Sequence, residues 1–218
     1  MEFGETLRRR RMVRSFSGRA VPGPVLERIL DGALRAPSAG NTGGWDLVVL
    51  EGPSETALFW QATTTADWRS HSRRWPGLEK APVALVLYAH PDAYLERYRA
   101  PDKQGSGLGG RGRTVMGPGP GPGTEPGPED GWPVPYWYVD GGFAALSLLL
   151  GATDAGLGGC LMGNFRGEEA LAGLLGVPEG RRYLGTVLIG EPGGDDPASS
   201  SLARGRRKAG EVVHRSRW

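Results

Sequence analysis

The stretch Leu34-Arg35-Ala36-Pro37-Ser38-Ala39-Gly40-Asn41-Thr42-Gly43-Gly44-Trp45 lies between two readable elements and decides how they join. Ahead of it, Val25, Leu26, Ile29, Leu30, Ala33 and Leu34 recur at helical spacing, with Pro24 in the first turn, where a missing amide is tolerated. Arg35-Ala36-Pro37 ends that helix, because the residue before a proline is pushed out of the α region. Beyond it, Leu47, Val48, Val49 and Leu50 make an apolar strand within 46–51. Small side chains and free backbone amides are thus gathered at a helix-to-strand junction. Taken alone, such a turn reads more readily as punctuation than as a binding loop.

Two further stretches change that weighing. Upstream lies Arg8-Arg9-Arg10-Arg11-Met12-Val13-Arg14-Ser15-Phe16. As a bare charge run it is a solvated basic end. As a site, Arg10 and Arg14 stand at i, i+4 and can aim guanidinium groups at a phosphate, which they grip bidentately. Downstream lies Gly156-Leu157-Gly158-Gly159-Cys160-Leu161-Met162-Gly163-Asn164-Phe165, a strand followed by a glycine turn.

In this order, the three stretches resemble the motifs of the FMN-dependent nitroreductase family, and the resemblance covers the chain apart from a Gly/Pro-rich insertion. It implies an α+β, nitroreductase-like fold: a mixed central β-sheet flanked by helices, with a long central helix at a homodimer interface. It implies FMN held by Arg10, Arg11, Met12 and Arg14, by Pro37, Ser38, Ala39, Gly40 and Asn41, and by Leu161, Met162, Gly163 and Asn164. In that pattern Leu161 and Met162 pack on the flavin ring, and Gly163 or Asn164 donates an amide to flavin N5. Arg204 and Arg206 align with a basic pair that closes on the phosphate, and Asp140 falls near the pyrimidine edge. Glu211–Trp218 would lie on the partner subunit. Three departures stand out. Met12 replaces a frequent serine, Thr42-Gly43-Gly44 replaces a segment that carries a side-chain amide, and Asp140 stands where some members carry a neutral amide.

Composition narrows the classes. The 218 residues carry a net charge of +2 and 39% hydrophobic residues, so neither nucleic acid nor an anionic membrane is called for as partner. A lone cysteine, Cys160, excludes an internal disulfide or Cys-x-x-Cys pair and reads as a small buried hydrophobe. No metal-ligand cluster, paired carboxylates or Rossmann glycine fingerprint is recognisable, and no apolar run approaches the ~20 residues of a membrane helix. With no signal-like start, a cytoplasmic protein is expected.

The remaining elements follow from pattern. Helices are expected over 2–11, over 54–65 with Ser54 as N-cap, over 91–99 and over 167–176; strands are expected over 83–89 and 182–191. The Trp- and Arg-rich 66–75 is a pocket wall or core rather than a nucleic-acid surface. Tyr136 to Gly156 reads as the longest helix, apolar all round and therefore buried all round, with small residues that admit a partner closely. Residues 104–131, rich in Gly and Pro, cannot bury enough to fold alone and read as a loop, ranked as a lid over a linker. The whole, 1–218, reads as one domain.

The resemblance implies that flavin N5 carries the chemistry and that no side chain is catalytic. The expected activity is NAD(P)H-dependent reduction of nitroaromatics or quinones by ping-pong alternation. A biosynthetic flavin dehydrogenase or oxidase using O2 is the alternative, and a non-catalytic flavin-binding protein is the reading from another class.

Overall fold

The computed structural model describes residues 1–71, 77–106, 108–109, 132, 134–164, 166–196 and 203–218. Its centre is β2 (Val83–Ala89), every residue of which is buried. Val83, Leu85 and Leu87 point into one core, Ala84, Val86 and Tyr88 into the other, as the two-residue period of a strand requires. A continuous apolar run was the readable sign of a strand covered on both faces.

Beside β2 lie β1 (Trp45–Glu51) and β4 (Arg182–Gly190), and β3 (Gly158–Met162) flanks β4, giving the order β1-β2-β4-β3. All three ladders are antiparallel. Among the described residues, the parallel component of the sheet is one bridge between Met12 and Gly159.

On one face pack α2 (Gly23–Leu34) and α6 (Tyr136–Asp154), burying Leu26, Ile29, Ala144, Leu148 and Ala152 against the sheet. On the other pack α3 (Gly52–Thr63) and α7 (Glu168–Leu174), with Phe59, Trp60 and Leu171. Short helices α1 (Phe3–Arg9), α4 (Ala66–His71) and α5 (Pro91–Arg99) complete the set among the described residues. The fold is α+β, as expected.

Three expectations need adjustment. Helix α3 starts at Gly52 with Glu51 as its N-cap, so Ser54 lies inside the helix rather than capping it. Gly52, at φ 75°, takes a left-handed conformation that lets strand β1 turn straight into the helix. Of the small residues of α6, Gly141 and Gly151 serve the chain's own core, while Gly142 is exposed with open space around it. A Cβ on Gly141 would come within 2.2 Å of Leu184, and one on Gly151 within 3.4 Å of Ile29. Nor is α6 covered all round, since Val139, Phe143 and Leu146 stay exposed along one stripe. The expected lid at 104–131 lies largely outside the described residues.

Candidate functional site

The arginine element begins where α1 ends. Arg10 closes that helix, its amide donating to Thr6 O at 2.9 Å. The chain then runs along β3, with Val13 N donating to Gly159 O at 3.0 Å. Gly158 permits this approach, because a Cβ there would lie 2.6 Å from Val13. The loop after β4 clamps the element from the other side. Asp196, its side chain only 4% exposed, accepts from Arg14 N at 2.8 Å and pairs with the Arg11 guanidinium. Ser15 Oγ donates to Asp195 at 2.6 Å, which holds that carboxyl below the usual range. Arg11 is therefore committed to an acid, while the Arg14 side chain reaches a cavity.

That cavity encloses about 390 Å³. Its walls are Arg14, Thr63, Thr64 and Thr65 at the end of α3, Trp68 on α4, Leu78, the run Cys160 to Asn164, and Arg166. Trp68 stacks on Trp60 with ring centres 6.5 Å apart and planes 13° apart. The hydroxyls of Thr63 and Thr64 donate back to Phe59 O and Trp60 O. Asn164 Nδ2 is buried without a hydrogen-bond partner. Nothing stands within 4 Å of where a Gly163 Cβ would be. Burial pushes the Cys160 thiol up, so it is a lining group and no nucleophile.

The Pro37–Asn41 loop is built elsewhere, at the far end of α2. Ser38 Oγ accepts from Gly43 N at 2.8 Å, and Gly40 and Asn41 take left-handed conformations at φ 63° and 53°. Helices α5 and α6 hold it. Asp140, only 2% exposed, accepts from Ala39 N at 2.8 Å and from Tyr94 OH at 2.6 Å through the same oxygen. Arg97 Nε donates to Gly40 O at 2.8 Å. A Cβ on Gly40 would lie 3.0 Å from the Tyr98 ring, and one on Gly44 2.2 Å from Tyr94. Burial pushes the Tyr94 hydroxyl well up, and its bond to Asp140 pushes in the same direction. Ser38 and Asn41 line a second cavity of about 410 Å³ against Leu30, Leu34 and Trp45.

The expected site residues do not converge within one chain. Arg14, Leu161, Met162, Gly163 and Asn164 share the first cavity, and Ser38 and Asn41 the second. Met12 is half-buried and packs into the core, Arg10 flanks α1, and Asp140 sits beneath the Ala39 loop, where its charge answers protein donors. Arg204 and Arg206 lie on an exposed C-terminal segment. Thr63, Thr64, Thr65 and Arg166 were missed. A run of threonines closing a helix carries no motif, and Arg166 follows directly on the last residue of one. Phe165 is outside the described residues.

Comparison with known proteins accords with this geometry. The family model described as the Nitroreductase family matches residues 7–106 and 128–191. A protein of Thermus thermophilus named NADH dehydrogenase is 32% identical over 187 residues, covering 84% of this chain and 83% of its own. One of Archaeoglobus fulgidus, named as a putative NADH dehydrogenase/NAD(P)H nitroreductase, is 26% identical over 96% of this chain and 94% of its own. Among solved structures, the nitroreductase CinD of Lactococcus lactis, in complex with nicotinic acid, superposes with a TM-score of 0.71 at 15% identity, over 98% of both chains. That likeness shows the fold. The family match and the Thermus relative show more: this chain belongs to the Nitroreductase family and is an oxidoreductase.

Proposed function

We propose that this protein is a homodimeric, cytoplasmic FMN enzyme that carries electrons from NAD(P)H to nitroaromatic or quinone-type acceptors, each in turn at one site, with residues 1–218 forming a single domain. The observation that carries the reading is the partnerless Asn164 amide, buried beside Arg14 in a cavity otherwise floored by Leu161 and Met162. A buried donor without an acceptor is costly, and a flavin edge with its carbonyl and nitrogen acceptors would satisfy it. The residues present fit the group. When bound, FMN supplies hydride acceptance and electron transfer. Arg14 offers a cation to developing negative charge, Leu161 and Met162 present an apolar surface to the ring, and the absent Gly163 side chain leaves its amide approachable.

The division of the site supports dimerisation. The loop of Ser38 and Asn41 opens on a different cavity from Arg14, so a second copy must supply that loop if both are to touch one cofactor. The exposed stripe Val139, Phe143 and Leu146 on α6 and the uncovered segment holding Arg204, Arg206, Val212 and Val213 are surfaces for such a copy. The free, buried Cys160 suits a reducing compartment, and among the described residues no helix is long and apolar enough to cross a membrane.

Initial rates test the alternation. With NADH or NADPH varied at several fixed concentrations of a quinone, double-reciprocal lines should be parallel, and anaerobic NAD(P)H should bleach the bound flavin. Intersecting lines would overturn it.

A further inference from the structure

The geometry points to a cavity that selects small planar aromatic acceptors bearing a negative charge, with Arg166 reading the charge and Trp68 taking the ring. This rests on the flavin reading above and names its substrate class.

The charge argument comes from what lines the cavity and what does not. Among its described walls there are two guanidinium groups, Arg14 and Arg166, and no Asp or Glu. Asp196 is near enough for its field to reach Cys160, but its oxygens are committed to Arg11 and the Arg14 amide. Arg14 is the half-buried cation, the one the cofactor would engage. Arg166 is exposed and has no hydrogen bond or ion pair among the described residues. A charge of one sign left without a protein partner in the wall of a cavity raises the local concentration of the opposite sign.

The backbone that carries Arg166 is also held in place. The next residue, Gly167, has φ 76°, and a Cβ there would lie 2.0 Å from Ala62 O. Only glycine lets the turn press against the end of α3 so closely, and this sets Arg166 beside the Thr63 to Thr65 wall. The ring argument comes from Trp68. It is 37% exposed at the cavity, and its indole is backed by the nearly buried Trp60 in a stacked pair. A supported, part-exposed indole offers a flat face to a planar ligand.

The test uses the holoprotein reduced photochemically, so that no nicotinamide nucleotide competes. It is mixed anaerobically with 4-nitrobenzoate or with its neutral isostere, 4-nitrobenzamide. Each acceptor takes two electrons and two protons at the nitro group, giving the nitroso compound and water, while the protein returns to its oxidised form. The second-order rate of flavin reoxidation should favour the benzoate by about two- to fivefold, the scale of an exposed ion pair. Added salt should shrink that preference. In Arg166→Gln the ratio should fall toward one, and Arg166→Lys should keep part of it. A binding readout without turnover accompanies this: benzoate should perturb the oxidised flavin band at lower concentration than benzamide. Equal rates and equal affinities in the unaltered protein would overturn the proposal, as would an undiminished ratio in Arg166→Gln. A protein with no bleachable flavin would instead overturn the cofactor reading, and the proposal with it.

Discussion

Asp140 shows how far a residue's role depends on contacts the sequence does not display. Its place suggested the cofactor's pyrimidine edge, yet its carboxylate is buried under the Ala39 loop. The partners lie 101 and 46 positions away, Ala39 and Tyr94, and no local pattern links them. Asp140→Ala would strand a half-buried amide and a buried hydroxyl together. Urea unfolding should then show a loss of about 2–4 kcal/mol, with Asp140→Asn losing less. A second acid has a legible pH signature. The Ser15 hydroxyl lowers the pKa of Asp195 in the folded state. A depressed folded pKa means that the stabilisation is present above the unfolded value and lost as pH falls through the folded one. Stability should therefore drop as pH falls below the ordinary value of 3.8, and Ser15→Ala should make that drop shallower in thermal melts.

At the scale of elements, local chemistry was readable wherever it was decided locally. Strand β2 and helix α5 fall where an unbroken apolar run and a proline at the helix start put them, at Val83–Ala89 and Pro91–Arg99. What failed was decided by packing. Gly141 and Gly151 of α6 looked available to a partner, but the sheet and α2 occupy them, a fact settled only once Leu184 and Ile29 are placed in space. Likewise the start of α3 was set by Gly52 and strand pairing rather than by the capping preference of Ser54. The side of α6 left over is the one the proposed dimer would cover: Phe143 is 42% exposed and Leu146 45%. Phe143→Glu would place a charge in the middle of that stripe. Light scattering should give half the mass of the unaltered protein, with the thermal midpoint of the isolated chain still cooperative; an unchanged mass would remove α6 from the interface.

For the whole molecule, the three motifs were legible as motifs, and their arrangement was not. The arginine element and the 161–164 run meet across β3 because Val13 and Gly159 pair, joining segments far apart in the chain. The Pro37–Asn41 loop instead opens on its own cavity beyond α2. A pattern along one chain cannot say whether its motifs open on one cavity or on two, and here they open on two. One cation, Arg11, also proved to be spent on Asp196, leaving Arg14 as the member of the run that reaches the cavity. The central claim is that this cavity holds FMN. The most direct test is the visible absorption spectrum of the purified protein, followed by identification of any pigment released on denaturation. The account predicts a flavin band near ~450 nm and about one FMN released per chain. A colourless protein that takes up no added FMN would contradict it.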